Sequence, residues 1–306
     1  MNNANLVTAR SAGGEHFSES YGNFTLSGRR LLPPLPRRLK HAPLVIAIHG
    51  GTYTSAYFDL PGYSLLERAA AVGVPIIALD RPGYGNSTPL EPGTETIPQQ
   101  AERLTPIIGE LFARHGDGAA GIVLIGHSIG GGTVIEIAAR HPTWPLAGIA
   151  VSGVCLHTPP ESKGAWESLP PGPITDMPQG IKDVVMFGPA DTLAAEMPAL
   201  SHQAHSPVPL AELLDIVTGF PARAQGLLGA VTVPVHHRLG EFDKLWITNA
   251  TEVRDFGAAC VRAPRVDAQL FSGAGHCIDF HLLGASFQLE QLAFALRCGA
   301  EVAMQR

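Results

Sequence analysis

The sequence predicts an α/β protein built on a mostly parallel sheet. Three observations predict it. Short apolar, β-branched runs such as Ile122-Val123-Leu124-Ile125 have the length and character of buried parallel strands. Glycine-rich turns follow them, and segments with helical apolar spacing follow several of those turns. The rhythm breaks once, over the proline-rich stretch 158–231. The chain has 306 residues, 45% of them hydrophobic, enough for one large domain with an insertion or two small ones.

His16 to Leu32 alternates in part, with Tyr21, Phe24 and Leu26, and Gly22 and Gly28 as turn signals; it reads as an antiparallel hairpin leading into the sheet. Arg29 to Lys40, RRLLPPLPRRLK, is basic and proline-rich. Pro33, Pro36 and Arg38 fit a ligand for an SH3-type groove, but a stiff connection between strands is favoured. Leu44 to Ile48 is the first strongly apolar strand, and it ends in His49-Gly50-Gly51-Thr52-Tyr53. Ser64 to Val72 is a short helix stopped at Gly73, and Pro75 to Leu79 is the next strand. The loop Asp80-Arg81-Pro82-Gly83-Tyr84-Gly85 follows, with Asp80 and Arg81 read as structural. Thr96 to His115 is an amphipathic helix in which Pro106 predicts a kink or break. Gly116, Gly118 and Gly121 spell G-x-G-x-x-G. They follow a helix and precede a strand, the reverse of a dinucleotide loop, so they read as a turn.

The chemistry-bearing stretch is Ile122 to Gly132, IVLIGHSIGGG. A strand runs into Gly126-His127-Ser128-Ile129-Gly130, a G-x-S-x-G match, and Thr133 to Arg140 continues with helical spacing. A serine between strand and helix sits on a cramped backbone, often at positive φ, and glycines on either side remove the Cβ atoms that would clash. Its hydroxyl projects from the end of the strand, and the Ile129 N–H at the helix start points where an oxyanion forms.

With these motifs in this order, the chain resembles a serine-nucleophile α/β-hydrolase of the capped esterase or lipase type. The resemblance implies an eight-stranded, mostly parallel sheet with helices on both faces: a core over residues 1–154 and 232–306, and a helical cap over 155–231. It implies Ser128 as nucleophile. It implies Gly51, after His49-Gly50, as the second oxyanion N–H beside that of Ile129. Leu146 to Val151 is a further strand whose end, Ser152 to Cys155, lacks a carboxylate. The strand Val231 to Leu239 leads to Gly240-Glu241-Phe242-Asp243, where the family carries its triad acid; Asp243 is assigned, with Glu241 as runner-up. The last strand, Asp267 to Phe271, leads to Ser272-Gly273-Ala274-Gly275-His276. The resemblance implies His276, at the family's base position, as the general base, and His281, expected inside the final helix His281 to Val302, is the weaker candidate. Thr52, Tyr53, Trp166, Met186 and Phe187 are candidates for the substrate pocket.

The reading is therefore a hydrolase of a carboxylic ester, with lactone or thioester as variants, acting through an acyl-enzyme with no cofactor and no metal. Other chemistries of the fold stand as alternatives: C–C bond hydrolysis, cofactor-free lyase or oxygenase activity, acyl transfer, and a non-enzymatic ligand receptor. The formal charge of -6, from 21 basic and 27 acidic residues, gives no footprint for nucleic acid or an anionic membrane; the expected partner is a small ester-like molecule. The polar start, Met1 to Ser20, lacks the apolar core of a signal peptide and no apolar run reaches transmembrane length, so a cytoplasmic protein is expected. The four cysteines show no zinc or redox spacing and are expected reduced and buried; the sequons at Asn23, Asn86 and Asn249 read as chance matches. His202 and His205 share a helical face but lack a third ligand, and His236 and His237 read as strand residues.

Overall fold

The computed structural model describes residues 13–93, 95–168 and 173–305. Most of the polar start Met1 to Ser20, residues 1–12, lies outside the described residues, as do 169–172 of the expected cap. The chain order is β1 (Glu15–Tyr21), β2 (Phe24–Leu31), β3 (Leu44–Ile48), α1 (Leu65–Ala71), β4 (Ile76–Leu79), α2 (Thr96–His115), β5 (Ile122–His127), α3 (Ile129–Ala139) and β6 (Leu146–Ser152). An inserted stretch then carries α4 (Pro160–Glu167), β7 (Ile174–Thr175), α5 (Gln179–Met186), α6 (Met197–Ser201), β8 (Val208–Pro209), α7 (Leu210–Leu214) and α8 (Phe220–Ala230). The chain returns through β9 (Val235–Gly240), α9 (Ala250–Ala259), β10 (Val266–Phe271) and α10 (Gly284–Met304).

Eight strands form one sheet in the order β1-β2-β4-β3-β5-β6-β9-β10. β1 and β2 pair antiparallel, and β2 runs antiparallel to β4; the other pairs are parallel. Alternation along each strand assigns the two faces. Leu44, Ile46 and Ile48 of β3, with Ile122 and Leu124 of β5, join the apolar faces of α2, α3 and α9. Val45, Ala47, Val123 and Ile125 point the other way and join α1 and α10. α8 falls inside the span 155–231, yet Phe220, Ala224 and Leu228 seat it in the core cluster beside α3 and α9. All four cysteines are free and buried, and burial raises each thiol to about 12.

Several local expectations are corrected. Pro106 does not break α2, which is helical throughout. Its ring faces solvent, while Leu104, Ile107, Ile108 and Leu111 are buried on the sheet and outweigh one lost backbone bond. Gly28 is no turn: it lies inside β2, where a Cβ would meet the Phe17 ring at 2.9 Å and collide with the Ala78 carbonyl oxygen. β9 starts at Val235, not Val231, because α8 runs to Ala230 and Pro234 has no N–H to give a ladder. α10 starts at Gly284, leaving His281 in the turn before it. The proline-rich Arg29 to Lys40 stretch folds onto its own chain, with Arg38 Nε donating to Pro33 O at 2.8 Å. Among the described residues, no helix is long and apolar enough to cross a membrane.

Candidate active site

Ser128 follows β5 and caps α3, with φ 54° and ψ -122°, left-handed backbone that a non-glycine residue rarely adopts. The turn tolerates it because Gly126 and Gly130 lie where any Cβ would strike backbone: at Gly126 it would stand 2.6 Å from the Gly130 carbonyl oxygen. The Ser128 N–H donates to Ser152 O at 2.8 Å, tying the turn to the end of β6. Gly50 allows the loop after β3 to close on the serine, since a Cβ there would be 2.9 Å from Ser128 Cβ. Gly51 and Ile129 are in contact range across this gap, and a Cβ on Gly51 would be 2.9 Å from Ile129 Cδ1. The first N–H groups of α3 have no partner inside the helix, so the Ile129 N–H is available to an anion.

Asp243 and His276 meet directly: Asp243 Oδ2 accepts from His276 Nδ1 at 2.7 Å, with both side chains essentially buried. Asp243 Oδ1 accepts from Leu245 N at 2.8 Å, which fixes the carboxylate. This network assigns the proton to Nδ1 and leaves Nε2 as a base. No hydrogen bond joins Ser128 Oγ to His276 among the described residues; the ring of His127, the neighbour of Ser128, lies 4.8 Å from that of His276. Hydrogen bonds of this kind often tighten only with substrate bound. Glu241 is engaged elsewhere, its Oε2 accepting from Gly273 N at 2.9 Å. His281 is also engaged: its Nε2 accepts from Gly188 N at 3.0 Å and Gly275 N at 2.9 Å, and burial lowers its pKa.

The loop after β3 is braced from below. His49 Nε2 accepts from Arg81 N at 3.1 Å, and Arg81 Nη2 donates to Gly50 O at 3.1 Å. Asp80 accepts from Ser27 Oγ at 2.7 Å and Ser55 N at 2.8 Å. Both residues of the post-strand loop thus act inside the scaffold. His127 stacks on Tyr57 with centroids 4.7 Å apart, and burial drives its pKa well down, so it stands as a neutral wedge beside His276.

A narrow cavity of about 30 Å³ opens onto Ser128. Gly51, Thr52 and Ile129 form its floor; Trp166, Met177, Met186, Leu213, Ile216 and Val217 come from the insertion, and Leu245 and Trp246 from the turn after Asp243. Tyr53 and Phe187, two of the candidates, do not line it. Tyr53 is buried against Tyr57 and Phe280, and Phe187 packs edge-on against His281. Their burial belongs to the seam between insertion and core. Sequence reading missed Met177, Leu213, Ile216, Val217, Leu245 and Trp246. The apolar spacing of Leu210 to Val217 was visible, but nothing in it tells a pocket wall from a small core. Among the described residues, no group of three His, Cys, Asp or Glu side chains is placed to hold a metal. His202 and His205 bond instead to Asp183 at 2.9 Å and Asp176 at 2.7 Å.

The model of the α/β hydrolase family matches residues 45–284. The chain belongs to that family. An esterase of Mycobacterium tuberculosis is 35% identical over 101 residues, covering 33% of this chain and 30% of that protein. A bifunctional esterase/perhydrolase of Acinetobacter calcoaceticus is 29% identical over 133 residues, covering 44% of this chain and 43% of that one. The matches thus span less than half the length of these relatives. The structure of a thermophilic esterase from Thermogutta terrifontis superposes with a TM-score of 0.67 at 17% identity, covering 94% of this chain and 100% of that one, a likeness of fold.

Proposed function

We propose that the protein hydrolyses a carboxylic ester through Ser128, His276 and Asp243, by way of an acyl-enzyme. The observation that carries the reading is the buried 2.7 Å Asp243–His276 bond, with the His276 ring 4.8 Å from that of His127, the residue before a serine on a strained strand-to-helix turn. The esterase names of two relatives support the same class of activity. Ser128 Oγ adds to the ester carbonyl as His276 Nε2 takes its proton. Asp243 holds the imidazole in the tautomer that can do so and stabilises the imidazolium. The Gly51 and Ile129 N–H groups donate to the carbonyl oxygen and stabilise the charge that develops on it. Collapse of the tetrahedral species breaks the ester C–O bond, and His276 returns the proton to the departing alkoxide. Water, deprotonated by the same ring, then splits the acyl-enzyme, releasing the acid and restoring Ser128.

The part of the insertion before α8 acts in this reading as a cap that supplies the pocket walls and excludes water. The cavity has room for about two water-sized groups, which favours a short acyl chain. Labelling with an alkyl fluorophosphonate tests the assignment: an adduct on Ser128 of the folded protein, and a burst of alcohol from p-nitrophenyl acetate, are expected. A protein that binds such esters without an adduct or a burst is instead a receptor, a lyase or an oxygenase on this fold.

A further inference from the structure

α5 buries a lysine beside its apolar Met186 and turns two apolar residues to solvent. Ile181 and Val184 are 57% and 59% exposed, while Lys182 is fully buried. Burying an ammonium is costly unless each of its donors is met. Here they are. Lys182 Nζ donates to Thr52 O at 2.8 Å, lies 3.0 Å from His205 Nδ1, and stands 3.6 Å above the centre of the Tyr53 ring. His205 Nε2 is in turn bonded to Asp176.

The atom that Lys182 reaches is the carbonyl of the oxyanion loop. Thr52 has φ 60°, a conformation unfavourable for a β-branched residue that persists only where the surroundings impose it. Two donors from the insertion impose it: Lys182 Nζ and Ser206 N, the latter at 3.0 Å. Tyr53 and His205 form an isolated antiparallel bridge, and Thr54 N donates to Ala204 O at 3.0 Å. The loop after β3 is therefore shaped by the insertion as much as by its own strand.

We propose that Lys182 is a positioning residue. By holding the Thr52 carbonyl it keeps the loop in the strained form that turns the Gly51 N–H toward Ser128. The inference rests on the serine-hydrolase reading above. A lysine inward and an isoleucine outward on one helix breaks the ordinary packing pattern, as residues kept for function tend to do.

The test is a double-mutant cycle in the full chain, read by fluorophosphonate labelling and by kcat and KM on p-nitrophenyl butyrate. Lys182→Met is expected to fold with an unchanged or higher thermal midpoint. Its labelling rate and kcat fall about tenfold or more, with KM within about threefold. Thr52→Gly removes the cost of positive φ, so the loop no longer needs holding; in that background the Lys182→Met loss shrinks below about threefold. If Lys182→Met does not fold, Lys182→Gln takes its place in the same cycle. Labelling at the wild-type rate in the folded variant overturns the inference, and so does a loss of equal size in both backgrounds. Absence of any adduct on wild-type Ser128 overturns the underlying reading instead.

Discussion

Arg81 and Glu212 form a buried ion pair, 2.9 Å apart, that joins the loop after β4 to α7 of the insertion. Glu212 also accepts from Tyr84 Oη and Gln100 Nε2, each at 2.8 Å, so the carboxylate is fully engaged. Arg81 in turn braces Gly50 of the loop after β3.

Glu212→Ala leaves the Arg81 guanidinium buried and uncompensated. A loss of about 3–5 kcal/mol in unfolding free energy is expected, measured by urea denaturation. Because Arg81 touches Gly50 O, residual folded protein also loses kcat. Full stability in this variant contradicts the account of the pair.

Asp243→Asn keeps the shape of the acid but hands its partner the wrong hydrogen-bonding group. His276 then takes the other tautomer, with its proton on the nitrogen meant to accept. The expected loss in kcat is roughly 10⁴-fold with the fold intact, followed on a chromogenic ester and by circular dichroism. Glu241→Gln, which affects only a bond to Gly273 N, lowers kcat by less than about threefold.

Trp166→Ala and Leu213→Ala remove walls of the cavity from α4 and α7. Each buried methylene of a longer acyl chain then gains about 0.8 kcal/mol of transfer free energy that the narrow pocket denies. The ratio of kcat/KM on p-nitrophenyl octanoate to that on the acetate rises at least several-fold. An unchanged ratio places the acyl chain elsewhere.

Burial lowers Lys182 to about 7, against the pull of Cys277, Asp183 and Asp176. The folded value lies below the unfolded one, so the unfolded chain holds the extra proton between about 7 and 10.5. Relative to Lys182→Met, the wild type thus gains stability as pH rises through that window, and the whole burial penalty is present below it. Denaturation at pH 6 and pH 9.5 checks the sign: the variant's advantage is larger at pH 6.

The parts of the site that a single chain segment encodes were legible in the sequence. The G-H-S-I-G turn announces itself because strand, serine and helix are contiguous, and the turns holding Asp243 and His276 follow strands whose apolar runs are plain. The β3 and α2 boundaries match the periodic pattern to the residue. What was hidden arises where distant segments meet. Gly28 looks like a turn until β4 passes behind it. Lys182 looks like a solvated helical lysine until Thr52 and His205 close around it. Leu245 and Trp246 become pocket walls only because the turn after Asp243 brings them to the cavity at Ser128. Side-chain periodicity reports which face of an element is apolar, and is silent on which neighbour that face will meet.

The sealed thiols of Cys155, Cys260, Cys277 and Cys298 give the protein a built-in gauge of its own opening. They lie after β6, at the C-terminal cap of α9, in the loop after β10 and within α10, so no single fraying end exposes them together. Ellman's reagent should find no reactive sulfur in the native protein and all four once denaturant has dismantled the sheet. The rate at which colour develops under mild conditions then clocks the motions that breathe each region open.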